Sequence, residues 1–373
     1  MKNQEKVKTK RIILTGGHAA TTAVATIQEL RKRRSDLSLH WVGTKRAFEG
    51  KTIPNLESFV LPRLGVKQHL LISGKLQRKF TIWTIPSLIK IPISFVHALL
   101  IILSIRPNLI VSFGGHTALP VVFIAKLFKT PVIIHEQTMA VGLVNKISSY
   151  FADKIALARY QSLKYFPKDK CEVVGNPVIT QFLKVNAKHK IGNPPTLFIT
   201  GGSRGSTAIN SIIEEVIKVL LKDFLIIHHT GFIDFDKFTK IKNNISYEFR
   251  KKYTLHARID PVRMHEVYKK SDIVISRAGA NAVSEIMVTQ RPAILIPLPI
   301  AYLEEQKKNA KFAEKFGIAK VIDQKDLTSE KLLKEILSIK KNWSRMIASV
   351  KNKKNPDIKA SSKFVDLIED LVA

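Results

Sequence analysis

Acidic residues are scarce in this chain: 30 Asp and Glu stand against 61 Lys and Arg, a formal net charge of +31. That imbalance disfavours acidic-tail functions and favours polyanions or an anionic membrane as partners. Cysteine is nearly absent. Cys171 stands alone, so no internal disulfide exists, which fits a reducing compartment. Short tandem repeats are missing. So are helix-turn-helix, zinc-finger and RNP signatures, and the basic residues are spread along the whole chain, so no nucleic acid is expected as partner. The apolar run after the basic N-terminus is only Ile12-Ile13-Leu14, too short for a signal peptide, and the expected location is cytoplasmic.

Length is not short. At 373 residues there is room for two domains with full cores. Strand and helix signals alternate throughout, which predicts α/β domains with parallel sheets. In the first half strands are expected near 11–15, 38–42, 57–61, 109–113, 131–135, 154–158 and 172–174, with the clearest helices at 20–34 and 117–128. Gly175-Asn176-Pro177 punctuates its end. The second half restarts with strands near 196–200, 224–228, 253–257, 273–276, 293–296 and 319–322, and helices at 205–221, 262–270, 281–289, 304–316 and 328–337. The expected domains are 1–177 and 195–350, with a C-terminal segment, about 356–373, returning to the first.

Long uninterrupted hydrophobic runs are also lacking. Ile82 to Ile105 approaches the length of a membrane span, but Pro86, Lys90, Pro92 and His97 interrupt it. Both prolines favour a break or helix start over a continuous helix interior. Residues 93–105 read as a buried helix. Upstream, Lys75, Arg78, Lys79 and Lys90 interleave with Leu76, Phe80, Ile82, Trp83 and Ile85, a mixture suited to an anionic membrane surface or to a hairpin packed on the domain.

What the chain does have is three strand-like runs that each stop at Gly-Gly. These are Ile12-Ile13-Leu14-Thr15-Gly16-Gly17-His18, Leu109-Ile110-Val111-Ser112-Phe113-Gly114-Gly115-His116 and Leu197-Phe198-Ile199-Thr200-Gly201-Gly202-Ser203. A strand feeding a helix through glycines brings backbone N–H groups toward an anion at the helix N-terminus. Three such turns predict a diphosphate ligand between two α/β domains. His18 opens a helix, where the dipole keeps an imidazole neutral and suited to general base work or simply to capping. His135-Glu136-Gln137 ends a buried run, at a ligand site or in solvent. Asp234-Phe235-Asp236 resembles a metal-binding pattern, but capping and solvation account for it. Arg277-Ala278-Gly279-Ala280-Asn281-Ala282-Val283-Ser284-Glu285 makes a strand-to-helix turn in which Glu285 suits a ribose diol. Glu305, Gln306 and Asn309 open another helix, where amides suit sugar hydroxyls or solvent.

At these residues the chain resembles the MurG family, the bacterial peptidoglycan N-acetylglucosaminyltransferases. The most specific stretch is Gly114-Gly115, then Pro131 to Gln137, Gly142, Asn145-Lys146, and Val174-Gly175-Asn176-Pro177-Val178. Gly201-Gly202-Ser203-Arg204-Gly205 with Asn210, Ala280 to Glu285, and Gln306 with Asn309 follow the family pattern too. The resemblance implies a GT-B fold, two Rossmann-like domains facing a central cleft. It implies transfer of GlcNAc from UDP-GlcNAc to the MurNAc C4 hydroxyl of lipid I, with inversion, giving lipid II. Peptidoglycan synthesis, cell-wall biogenesis, cell shape and division would depend on it. The implied base is His18, or Glu136 acting with it. Implied donor contacts are Thr15, Gly16, Gly17, Ser203, Ala280, Asn281, Ala282, Val283, Ser284, Glu285 and Gln306. Implied acceptor-diphosphate contacts are Gly16, Gly17, His18, Gly114, Gly115 and His116. No tightly bound cofactor is expected and the sequence assigns no role to a divalent ion. Peripheral association with the cytoplasmic membrane face is expected around Lys75 to Ile85.

Four positions depart from the family pattern. The first glycine loop is shortened to Thr15-Gly16-Gly17-His18, His116 replaces the usual Tyr, Thr138 a common Asn, and Ile179 a usual Arg. Arg204 or Arg277 is a candidate for the missing charge. Other readings are another GT-B glycolipid glycosyltransferase, or a non-catalytic polyanion- or membrane-binding protein of the same fold.

Overall fold

The structure, a computed structural model, describes residues 9–17, 20–44, 57–74 and 84–372. Two compact units emerge: one runs to Ile179 and takes back the chain from Lys359, the other spans Thr180–Ile358. The first is built on strands β1 (Arg11–Thr15), β2 (Ser38–Gly43), β3 (Lys67–Leu70), β4 (Leu109–Ser112), β5 (Val132–Glu136), β6 (Lys154–Leu157) and β7 (Cys171–Val173). The second contains β8 (Thr196–Thr200), β9 (Leu225–His229), β10 (Tyr253–His256), β11 (Ile273–Ser276), β12 (Ala293–Leu295) and β13 (Ala319–Val321).

Among the described residues the first sheet has the order β3-β2-β1-β4-β5-β6-β7 and the second β10-β9-β8-β11-β12-β13. Every pairing is parallel; Ile12, for example, sits opposite Leu39 on one side and Leu109 on the other. Parallel strands are covered on both faces, so the central ones read as unbroken apolar runs. Ile12, Ile13 and Leu14 are fully buried, as are Leu109, Ile110 and Val111, and Leu197, Phe198 and Ile199.

Strand order reverses between β1 and β4 in one sheet and between β8 and β11 in the other. In doubly wound sheets ligands bind outside the strand C-termini at such a reversal. The Gly-Gly pairs at 16–17 and 201–202 follow β1 and β8 directly and the pair at 114–115 follows β4 after Phe113, so all three lie at a reversal.

Four sequence expectations are corrected. The run 57–61 is not a strand. Glu57–Val60 is one helical turn closed by Pro62 and Gly65, and the place beside β2 goes to Lys67–Leu70. That edge strand is mostly exposed and polar, so no apolar alternation marks it. Pro92 does not break its segment, since a single helix runs Thr84–Ile105. The bond Pro92 forfeits costs about 3 kcal/mol, and burying Ile101, Ile102 and Ile105 at roughly 1.5–3 kcal/mol each offsets it. That helix is not wholly buried either. Ile85, Ile89, Ile93, Val96, Leu100 and Leu103 form an exposed apolar stripe at three- and four-residue spacing. The helix expected at 328–337 continues to Val350, because Ile336, Ile339, Trp343, Ile347 and Val350 keep one buried face through the basic stretch. Among the described residues no helix is long and apolar enough to cross a membrane.

The C-terminal helix, Ala360–Val372, belongs to the first unit. Arg33 fixes it there by donating to Asp366 (2.6 Å) and Glu369 (2.9 Å), and Phe364 packs edge-on against Phe113 and beside the His135 ring.

Candidate functional site: two glycine cradles

In the first unit the glycine turns after β1 and β4 rest on each other. The Gly17 N–H donates to the Gly114 carbonyl at 2.9 Å. Gly115 has φ +86°, and a Cβ there would lie 2.6 Å from the Gly17 nitrogen. A side chain at 115 would therefore push the two turns apart. The Gly114 N–H turns back to Ser112 Oγ (3.2 Å), and the Thr15 hydroxyl to the Val42 carbonyl (2.9 Å). Those donors shape the cradle and are committed within the protein. The His116 ring lies against Gly17. His18, the expected base, lies outside the described residues, as do Lys75 to Trp83 of the expected membrane segment.

Glu136 closes β5 and is only 4% exposed. Its Oε1 accepts the Thr138 N–H (3.0 Å) and its Oε2 the Asn145 amide (2.9 Å). Burial raises its pKa, while the Asn145 and Thr138 donors oppose the rise. Asn145 also contacts Gly114 closely, so Glu136 orders both the turn that follows it and the second glycine turn. The Thr138 hydroxyl adds to that ordering by donating to Glu136 Oε1 (3.0 Å). His135 is fully buried, with Nε2 3.1 Å from the Gly175 carbonyl, and so joins β5 to the end of the unit rather than to a ligand.

In the second unit Gly201 to Gly205 form a turn before the helix Thr207–Asp223. The Gly202 N–H donates to Thr200 Oγ1 (3.0 Å), which lies 3.1 Å from His229 Nδ1. Burial pushes His229 down to about 4, so it is a neutral imidazole that shares a hydrogen bond with the Thr200 hydroxyl. The turn also presses on a second one. A Cβ on Gly205 (φ +77°) would lie 2.0 Å from the Thr230 carbonyl oxygen, and one on Gly231 (φ +79°) 2.2 Å from that of Arg204. Ser203 is exposed at the tip.

Arg277 follows β11 and is 8% exposed. It donates to Ser206 Oγ (3.0 Å), the Ile296 carbonyl (3.1 Å) and Gln324 Oε1 (2.6 Å), tying three segments at the strand ends. All three acceptors are neutral, and burial lowers its pKa. The helix Ala280–Thr289 follows. Ala280, Asn281 and Ala282 in its first turn are partly accessible, whereas the Val283 and Ser284 side chains are buried. Any contact from those two to a ligand is therefore through the backbone. Glu285 is half-buried; burial pushes its carboxyl up to about 8, with the Tyr268 hydroxyl opposing the rise. Gln306 is partly accessible, and its Oε1 accepts the Leu298 N–H (3.0 Å). Asn309 is buried and donates to the Ala278 carbonyl (3.2 Å), a framework role rather than a sugar contact. Asp234 is not merely solvated, since its Oδ2 accepts from Asn210 (2.7 Å). Among the described residues no group of three or more His, Cys, Asp or Glu side chains is placed to hold a metal.

Sequence reasoning missed Thr230-Gly231 and Tyr268. The Thr230-Gly231 pair after an apolar run was the available signal for the first; Tyr268 had none.

Comparisons with known proteins agree with this geometry. The glycosyltransferase family 28 N-terminal domain model matches residues 13–157 and the glycosyltransferase family 28 C-terminal domain model residues 196–371. A Lachnoclostridium phytofermentans relative is 32% identical over 97% of this chain and 99% of its own. A Clostridium tetani relative is 34% identical over 96% and 98%. Both are named UDP-N-acetylglucosamine--N-acetylmuramyl-(pentapeptide) pyrophosphoryl-undecaprenol N-acetylglucosamine transferase. Among solved structures, MurG of Acinetobacter baumannii matches with a TM-score of 0.69 and 23% identity, covering 97% of this chain and 99% of that one. A UDP-GlcNAc 2-epimerase from Neisseria meningitidis bound to UDP-GlcNAc matches at 0.64 and 15%, covering 97% and 100%. At those identities the likeness shows the fold, two Rossmann-like units of the GT-B type. With relatives above 30% identity along nearly its whole length, the chain belongs to the MurG family of N-acetylglucosaminyltransferases, within glycosyltransferase family 28.

Proposed function

We propose that this protein transfers GlcNAc from UDP-GlcNAc to the MurNAc C4 hydroxyl of lipid I, with inversion, giving lipid II for peptidoglycan synthesis. The observation that carries the reading is the placement of all three glycine turns at the strand-order reversals of a chain that matches these transferases nearly end to end. The second unit takes the donor. Glu285 accepts from the ribose hydroxyls, and the Gln306 amide reads the sugar. The departing UDP gains negative charge, which the helix N-terminus after Gly205 and the Arg277 charge stabilise. Since the Gly202 N–H is turned inward, Ser203 and the helix end make the direct contacts. The first unit takes the acceptor diphosphate at Gly16-Gly17 and Gly114 to His116. His18 takes the proton from the C4 hydroxyl, with Glu136 holding the surrounding turns and supplying negative charge.

The exposed stripe from Ile85 to Leu103, on a chain of net charge +31, supports peripheral association with the anionic cytoplasmic face of the membrane, where a lipid-linked acceptor resides. The test is turnover of UDP-GlcNAc with lipid I by the purified protein. GlcNAc incorporation that is lost in His18→Ala is expected. Wild-type turnover in His18→Ala removes His18 as base, and no turnover alongside salt-sensitive polyanion binding overturns the enzyme reading.

A further inference from the structure

His228 of β9 is fully buried, and no step of the proposed transfer uses it. It stands in the middle of a hydrogen-bonded relay that ends at the second glycine cradle. Its Nδ1 is 2.9 Å from the Tyr253 hydroxyl and its Nε2 is 3.0 Å from Asn210 Oδ1. The Asn210 amide nitrogen donates to the Thr230 carbonyl (2.9 Å) and to Asp234 Oδ2 (2.7 Å). That carbonyl is the one against which Gly205 packs.

The direction of every bond in the relay follows from its far end. A carbonyl and a carboxylate, both acceptors, face the same end of the Asn210 amide, so the NH2 group lies there and the oxygen faces His228. An amide oxygen only accepts, so the imidazole proton is on Nε2. Burial pushes His228 down to about 3, which leaves a neutral ring with a bare Nδ1. The buried Tyr253 donates its hydroxyl there, and burial raises the phenol's pKa, so its proton is retained. Phe238 stands edge-on to the imidazole, 4.7 Å between centroids, and braces the ring. Without the Nε2 proton, Asn210 Oδ1 would be a buried acceptor with no donor, and the amide would lose the bond that resists its rotation.

We propose that His228 is a positioning residue for the donor diphosphate: its Nε2–H locks the Asn210 amide, which holds the Thr230 carbonyl against Gly205 and so fixes the turn leading into the helix Thr207–Asp223. The proposal rests on that helix end taking the diphosphate of UDP, and the experiment separates the two.

The diphosphate contribution is the ratio of the uridine to the UDP dissociation constant, measured by calorimetry. Uridine lacks the diphosphate, so a shift of the turn moves UDP alone. His228→Gln places an amide N–H near the Nε2 position, whereas the shorter His228→Asn reaches only as far as Nδ1. His228→Gln is expected to hold the ratio within about twofold, and His228→Asn to lower it about tenfold with uridine affinity unchanged, the effect of one buried acceptor left without its donor. Equal ratios in the two variants overturn the proposal, as does a loss shared by uridine and UDP. Ser203→Asp adds a negative charge at the exposed tip of the turn and is expected to lower the ratio. If Ser203→Asp keeps the wild-type ratio, the diphosphate is not at this helix end, and the role of His228 falls with it. If Ser203→Asp lowers the ratio and His228→Asn does not, the diphosphate site stands and His228 is not a positioning residue. Should a His228 variant not fold, the wild type decides. Its imidazole nitrogen shifts by NMR, assigned through contacts with the Tyr253 and Phe238 rings, are expected to show the Nε2–H tautomer between about pH 5 and 8. An Nδ1–H tautomer overturns the proposal.

Discussion

The two glycine cradles are built alike and charged oppositely. In the first unit the turns after β1 and β4 lean on each other, and beside them lies a buried carboxylate, Glu136, held by neutral donors. In the second the turn after β8 leans on Thr230-Gly231, and beside it lies a buried guanidinium, Arg277, held by neutral acceptors. Burying either ion without a countercharge costs stability. On the proposed function, the difference in sign suits the chemistry of each side. A leaving diphosphate gathers negative charge and calls for a cation, whereas proton abstraction from a hydroxyl calls for a base with negative charge near it.

The largest effect is expected where the cradle backbone itself is broken. Gly205→Ala places a methyl group 2.0 Å from the Thr230 oxygen at a positive φ. A loss of about 3 kcal/mol or more is expected, seen as a melting-temperature drop of roughly 5–10 °C together with loss of UDP binding. A fully stable Gly205→Ala protein would mean the two turns are not in contact. Removing each charge tests the comparison directly. Arg277→Ala should weaken UDP binding by about tenfold or more, and Glu136→Gln should leave UDP binding within about twofold while lowering kcat by about a hundredfold. Calorimetry and steady-state rates separate them, and equal effects on UDP affinity would erase the division of labour.

A smaller effect concerns pH. The Glu285 carboxyl is raised to about 8 by burial, with the Tyr268 hydroxyl lowering it in opposition. Ribose hydroxyls donate to the ionised form, so binding requires loss of that proton. UDP affinity should therefore climb as pH rises from about 6.5, by at most tenfold per unit, and flatten above about 8. Calorimetric Kd across that range checks it. In Glu285→Gln the slope should vanish, and a slope that persists there belongs to another group.

Much of this architecture was legible because it is local. The apolar runs ending at Thr15, Ser112 and Thr200 are uniform since parallel strands are covered on both faces, and glycine follows each because the chain must turn sharply there. The strand Lys67–Leu70 was not legible, for an exposed edge carries no apolar period. Nor was the continuation of the helix through Pro92, where burial by the sheet outweighs one lost hydrogen bond.

At the sites the same division holds. Glu285, Gln306 and Glu136 could be picked out by residue type and place. Whether a picked residue is open or spent could not, since that depends on partners far along the chain. Gly205 is stopped by Thr230, Glu136 is held by Asn145, and Arg277 is held by Ser206. The sequence by itself determined the central strands, the glycine turns and the family. Tertiary structure decided which polar groups remain available to a ligand, because hydrogen bonds and burial are settled only when segments distant in sequence are packed together.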